Sequence, residues 1–227
     1  MFLAMVNAKG GVGKSTLAVH LAVWLHERGQ RVMLVDCDLQ RSSSQWMAEA
    51  ALEVRVEVLL SEDELIERAP VFQQEAEIIV ADGPAGLKEL TRALLLVCDA
   101  AFIPCGPSVL DVRAVSEAIR VVKQAKSIRK GIPEAMLILN KMQPRYRLSR
   151  ELQAVSSKLD IPTASATIGH RQAYADAVGQ GSVVWRLGVS AAPAAQELHH
   201  LFTKLFLYPK EVGSNGSAAQ YDRCIAT

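Results

Sequence analysis

No stretch of the 227-residue sequence is apolar for the roughly 18 to 20 residues that a membrane-spanning helix needs. Met1 leads straight into a short apolar run, without the basic, then apolar, then small-residue order of a secretion signal. A soluble, cytoplasmic protein is therefore expected. Cysteine is sparse: Cys37, Cys98, Cys105 and Cys224 are scattered with no CxxC pair. That argues against a disulfide framework and against a zinc site, and leaves the first three as small buried hydrophobes. Internal repeats are missing too. So is net charge: 25 basic residues stand against 24 acidic ones, and no global field draws the chain to nucleic acid. What the chain does have is apolar residues, 50% of the total, enough to bury the core of one domain.

Charge is uneven locally. Between Arg120 and Arg150 nine basic side chains face Glu134 alone, so the rest of the chain is net acidic. Such a stretch fits either a polyanion-facing surface or a solvated helix face.

Short runs of Val, Ile and Leu alternate with longer segments of helical period, the pattern of strand and crossover helix. Strands are expected at Phe2–Asn7, Arg31–Asp36, Val54–Leu59, Glu77–Asp82, Ala101–Pro104, Met136–Asn140 and Thr163–Thr167. The clearest helices are Ser15–Arg28, Leu87–Val97, Val109–Lys130, Leu148–Leu159 and Ala191–Phe206. Right-handed crossovers make this an α/β fold, a doubly wound, mostly parallel sheet flanked by helices, with ligands outside the carboxyl ends of the strands. Residues 1–208 are expected to form the one domain and 209–227, small and polar, a disordered tail.

The stretch NAKGGVGKST, Asn7 to Thr16, joins the first strand to the first helix. Gly10, Gly11, Val12 and Gly13 can turn successive backbone N–H groups inward to cradle phosphates, and the helix N-terminus adds partial positive charge. Lys14 reaches the β and γ phosphates, Ser15 offers its hydroxyl to Mg²⁺, and Thr16 can bond the α phosphate. This is a P-loop, but with Ala8 where the ordinary pattern has glycine, and with a second lysine, Lys9. After the second strand, Asp36 and Asp38 flank Cys37, and alternate residues of an extended chain share a face. One of the pair can equally cap the helix that follows. The fourth strand delivers Asp82 after an apolar run, where a carboxylate can bond a water on Mg²⁺.

The KGGxGK[ST] form of the loop resembles the ParA/MinD family of dimeric, deviant Walker A ATPases, and specifically the small plasmid-type partition members. The resemblance runs from about Met1 to Leu207 and includes Pro104, Pro107, Ser108 and Asp111 after the fifth strand, Asn140 after the sixth, and Arg171, Ala177 and Gly181 later. It implies that Lys9 crosses a dimer interface to the partner's phosphates, much as an arginine finger does. It further implies that Asp38 orients the attacking water, that Asp36 supports the metal's water shell, that Pro107 lies near the nucleotide and dimer face, and that Asn140 reads the adenine edge. Leu39 replaces the family's proline in the DxDPQ motif.

The implied function is an ATP-hydrolysing DNA partition protein using ATP and Mg²⁺. Its ATP-bound homodimer binds non-specific DNA on the nucleoid and is released when a cargo-bound partner, a ParB-like centromere-binding protein, stimulates hydrolysis. Candidate DNA contacts are Lys123, Lys126, Arg129, Lys130, Arg145, Arg147 and Arg171. Three other readings stand beside it. A MinD-like membrane positioner would need a basic amphipathic end, whereas the apolar stripe Leu198, Leu201, Phe202, Leu205 and Phe206 falls where a final core helix is expected. A redox carrier would need cysteines in matching glycine-rich loops, and a ligase would need a substrate carboxylate pocket. A positioner of other cargo shares every motif.

Overall fold

The computed structural model describes residues 1–50, 52–86, 89–156 and 159–207. The expected tail, Cys224, and the ends of two expected helices at 87–88 and 157–158 lie outside the described residues.

Six strands form one sheet: β1 (Phe2–Asn7), β2 (Val32–Asp36), β3 (Arg55–Val58), β4 (Ile78–Ala85), β5 (Ala100–Cys105) and β6 (Glu134–Leu139). Their order is β3-β2-β4-β1-β5-β6 and every pairing is parallel. Each central strand feeds two cores, because neighbouring side chains point to opposite faces. Leu3, Met5, Val80 and Phe102 pack on the side of α1 (Lys14–His26), α2 (Ser42–Glu49), α7 (Gln172–Gly179) and α8 (Ala192–Leu207). Phe2, Ala4, Val6, Ile79 and Ile103 pack on the side of α3 (Glu62–Glu75), α4 (Glu89–Val97), α5 (Val109–Ile128) and α6 (Arg147–Ser156). That two-sided burial is why the strands read as unbroken apolar runs. The topology reverses around β1, which lies between β4 and β5, so the loops after β1, β2 and β4 converge at one end of the sheet.

One element differs from expectation. Thr163–Thr167 is not a strand: Thr163 meets β6 through one isolated bridge, to Leu137, and a second bridge joins Met142 and Gly169 beyond both segments. Ala164, Ala166 and Ile168 are buried while Ser165 and Thr167 are exposed, so the alternation of a strand is present without its ladder. Pro162, which has no N–H, begins this segment, and its carbonyl accepts from the Leu137 amide. In the gap between β3 and β4, α3 carries Pro70 in its interior. Leu65, Ala69 and Phe72, one helical stripe, are buried against the core, and Glu62, Asp63 and Glu64 suit the positive end of the helix. Burial of that stripe outweighs the roughly 3 kcal/mol that an interior proline costs.

One ionisable ring is sealed in the core behind α1. His20 is fully buried, with Nδ1 2.7 Å from the Thr16 carbonyl, and its Nε2 accepts from the Val184 amide at 3.2 Å. The ring is therefore the neutral Nδ1–H tautomer, and burial pushes its pKa down to about 4, against a smaller opposing effect of the Thr16 carbonyl. Trp46, Tyr174 and Trp185 stand edge-on around it.

Candidate nucleotide-binding site

The glycine-rich loop is rooted by Asn7, whose amide donates to the Pro104 carbonyl at 2.7 Å and whose Oδ1 accepts from the Lys9 amide at 2.9 Å. Gly13, at φ 97, precedes α1 without any side-chain cap, so the first N–H groups of that helix are left for a ligand. A Cβ at Gly13 would collide with the Asn140 amide. Lys14 is 5% exposed, and its Nζ folds back to donate to the Lys9 carbonyl at 3.2 Å. Burial lowers its pKa, while the charges of Asp82 and Asp38 act to raise it. An incoming polyphosphate would supply the counter-charge this ammonium lacks.

Lys9 points elsewhere. Its Nζ lies 2.7 Å from Asp111 Oδ1 and donates to Ser108 Oγ at 3.4 Å, at the start of α5. The Ser108 hydroxyl in turn donates to Asp111 Oδ2 at 2.6 Å and accepts from the Asp111 amide, capping the helix. Pro107 sits half-buried immediately before this cap. The two lysines of the loop thus have separate targets within one subunit.

The three aspartates have three different environments. Asp36 and Asp82 are paired in register across β2 and β4. Asp36 accepts from the amides of Asp38 at 3.0 Å and Ser44 at 2.8 Å, which makes it a cap for the loop and first turn of α2. Asp38 accepts from the Gln40 amide at 3.0 Å and, with its other oxygen, from the Ala85 amide at 3.1 Å, so it ties the loop after β2 to the end of β4. Asp82 is fully buried and, among the described residues, neither carboxylate oxygen has a hydrogen-bond partner. Burial pushes its pKa up to about 7 and the Asp36 charge adds to the rise. The Ser15 and Ser43 hydroxyls and Lys14 face it and temper that rise, without either serine reaching hydrogen-bond geometry.

A buried carboxylate left without donors is costly unless a cation joins it, and the hard oxygens of Asp82 and Ser15 fit Mg²⁺. Ser43, whose buried hydroxyl is also unpartnered, belongs to the same pocket. In the run Ser42–Ser44 nothing distinguishes it from an ordinary helix-start serine.

Beside Gly13 and Thr16, a cavity of about 240 Å³ lined by Asn140, Gly169, Arg171 and Tyr174 continues outward from the loop. Its position beyond the phosphate cradle suits the nucleoside. Asn140, expected to read a base, lines this cavity and donates from Nδ2 to the Val12 carbonyl at 2.7 Å.

The basic candidates are dispersed. Lys123 pairs with Asp160 at 2.6 Å, Lys126 with Glu134 at 4.0 Å and Arg147 with Glu151 at 3.2 Å. Arg171 grips Glu197 through Nε and Nη2, while Glu197 also accepts from the Gly169 amide. Arg129 donates to the carbonyls of Leu95 and Cys98, closing the junction of α4 and α5. Lys130 and Arg145 are exposed and form no ion pair among the described residues.

The chain matches known proteins in sequence and fold. Residues 3–184 match the family model described as the CobQ/CobB/MinD/ParA nucleotide binding domain. The chain is 31% identical over 207 residues to the maintenance of carboxysome distribution protein A of Halothiobacillus neapolitanus, covering 89% of this chain and 95% of that protein. It is 25% identical over 175 residues to the chromosome-partitioning ATPase Soj of Thermus thermophilus, covering 63% of this chain and 69% of the other. Apo McdA from Cyanothece shares the fold, with a TM-score of 0.73 over 90% of this chain and 98% of that one at 16% identity. The chain belongs to the CobQ/CobB/MinD/ParA nucleotide-binding family, as an ATPase of the ParA/MinD type.

Proposed function

We propose that this protein is a nucleoid-bound partition ATPase. It pairs with a second copy through bound ATP, holds non-specific DNA as that dimer, and lets go when a cargo-bound partner stimulates hydrolysis. The observation that carries the reading is the division of labour between the two loop lysines. Lys14 fills its own cradle, while Lys9 is directed out of it toward Ser108 and Asp111. A lysine on the phosphate loop that does not serve its own cradle is available to a neighbour's.

ATP would displace Lys14 from the Lys9 carbonyl, and the N–H groups of Gly10 to Gly13 and of the first turn of α1 would take the phosphates. Mg²⁺ at Ser15 and Asp82 would neutralise the β and γ phosphates. Asp38, which already bridges the loops after β2 and β4, is placed to orient the water for in-line attack once its hold on the Ala85 amide is released. Asp36 acts in this scheme through the loop it caps.

The cargo in this reading is a DNA partition complex carrying a ParB-like centromere-binding protein. A second reading, a large protein assembly carried over the nucleoid, is favoured by the match to a carboxysome distribution protein along nearly the whole chain. The membrane reading has less support: Leu198, Leu201, Phe202, Leu205 and Phe206 of α8 are core residues. No helix among the described residues is long and apolar enough to cross a membrane.

The test is DNA retention and sizing with a non-hydrolysable ATP analogue, ADP or no nucleotide, in wild type and Lys9→Ala. The expected result is analogue-dependent pairing and salt-sensitive DNA retention, both lost in the variant. Equal retention with and without nucleotide overturns the proposal. Co-retention of a centromere-binding protein on DNA, as against a protein assembly free of DNA, separates the two cargo readings.

A further inference from the structure

We propose that Asn140 and Lys141 form a clasp that holds the phosphate loop in its anion-receiving shape. Lys141 thereby becomes a third lysine of the nucleotide site, a positioning residue that acts through the loop. The inference deepens the ATPase reading and rests on it for the identity of the ligand.

The clasp depends on an unusual turn. Consecutive side chains of an extended chain point to opposite faces, so two neighbours leaving a strand cannot normally reach one target. β6 ends at Leu139, and Lys141 takes φ 56, in the left-handed region that side chains other than glycine rarely adopt. The turn is locked from within, since Asn140 Oδ1 accepts from the Lys141 amide at 2.9 Å. Both side chains then reach the same loop. Asn140 Nδ2 donates to the Val12 carbonyl at 2.7 Å, and Lys141 Nζ donates to the Gly11 carbonyl at 2.7 Å. Two consecutive donors hold two consecutive acceptors.

The consequence follows from the planar trans peptide, in which C=O and N–H point opposite ways. Holding the carbonyls of Gly11 and Val12 on the clasp side turns the N–H groups of Val12 and Gly13 to the other. Gly11, at φ 74, and Gly13, at φ 97, give this segment little stiffness of its own, so the peptides would otherwise be free to rotate. The close seating of Asn140 against Gly13, where a Cβ would collide, shows that loop and clasp are fitted to each other. The Lys141 ammonium also polarises the peptide that carries the Val12 N–H, as a charge-assisted bond does, and brings positive charge near the phosphates from outside the cradle. That leaves the cradle to Lys14. A strained backbone kept where it aims two donors is the kind of outlier found at ligand sites.

The test uses the full chain with three variants. Lys141→Gly keeps the positive φ and removes the ammonium, Lys141→Asn is a second neutral residue that tolerates that backbone, and Lys141→Arg restores a donor. Binding of a fluorescent ADP analogue with Mg²⁺ and its competition by inorganic tripolyphosphate are measured, together with amide hydrogen exchange across Gly11–Gly13. Lys141→Gly and Lys141→Asn should weaken both ligands roughly tenfold, the scale of one hydrogen bond to a charged group, and speed exchange in the loop. Lys141→Arg should stay within about threefold of wild type. Both ligands bound within about twofold of wild type by the neutral variants, or a loss confined to the ADP analogue, overturns the clasp. Failure of the wild type itself to bind the analogue counts against the ATPase reading instead, while the exchange comparison still decides the clasp.

Discussion

Lys9 Nζ sits 2.7 Å from the Asp111 carboxylate, so within a single subunit the second loop lysine is already paired. With the Lys9 side chain 36% and the Asp111 side chain 9% exposed, the pair contributes on the order of 1 kcal/mol. In the proposed dimer, Lys9 would leave Asp111 to reach the neighbour's phosphates. Asp111→Asn should therefore lower the concentration needed for ATP-analogue-dependent dimers by about two- to fivefold, read by sedimentation. Lys9→Ala should leave binding of the first nucleotide within about twofold and abolish dimers; dimers that persist in Lys9→Ala sink the trans role.

The environments of Asp38 and Asp82 predict different defects. Asp38→Ala should keep ATP binding and pairing but reduce hydrolysis roughly 100-fold, the usual worth of a positioned proton acceptor. Asp82→Asn removes an unpartnered buried carboxylate. It should raise the stability of the nucleotide-free protein by about 1–3 kcal/mol while losing the stabilisation that Mg²⁺ adds to bound nucleotide, measured by thermal melts with and without Mg²⁺. A melt unchanged by the substitution, with the Mg²⁺ effect intact, would show that the metal is held elsewhere.

The basic residues separate into two groups. Lys130→Ala and Arg145→Ala, at residues without an ion pair among the described residues, should each lower the salt slope of DNA retention by about one and leave the melt unchanged. Arg171→Ala breaks a two-pronged pair with Glu197, which also receives the Gly169 amide, and should cost about 1 kcal/mol of stability. Retention unaffected by the first pair would move the DNA surface off this stretch.

His20 predicts an acid limit. Its folded-state pKa of about 4 lies below the ordinary value of 6.5, so between those values the unfolded chain binds more protons. The His20 contribution is complete above pH 6.5 and is lost as pH falls toward 4, by about 2 kcal/mol at pH 5 and about 3 kcal/mol in full. Denaturant midpoints across that range should fall accordingly, and His20→Gln should flatten the fall. A midpoint falling as steeply in the variant would place the acid sensitivity in the carboxylates.

The phosphate loop, the apolar strands and the carboxylates at the ends of β2 and β4 were legible because each is written in consecutive residues whose local geometry follows from their chemistry. Glycines, a strand and a helix start make an anion cradle wherever they occur in that order, and a doubly wound sheet follows from the alternation of elements. Tertiary structure alone decided which groups are joined. Asp36 and Asp82 look alike as strand-end aspartates, yet one is consumed by the amides of Asp38 and Ser44 and the other is left bare in the core. Arg129 and Arg171 look like DNA contacts beside Arg145, yet they are tied to the Leu95 and Cys98 carbonyls and to Glu197. Asn140 and Lys141 reach a loop that lies 128 and 130 residues earlier in the sequence, through a backbone turn that no residue type there announces. Hydrogen-bond partners are set by which strands lie side by side and in what register, and that is a property of the folded sheet rather than of any stretch of the chain.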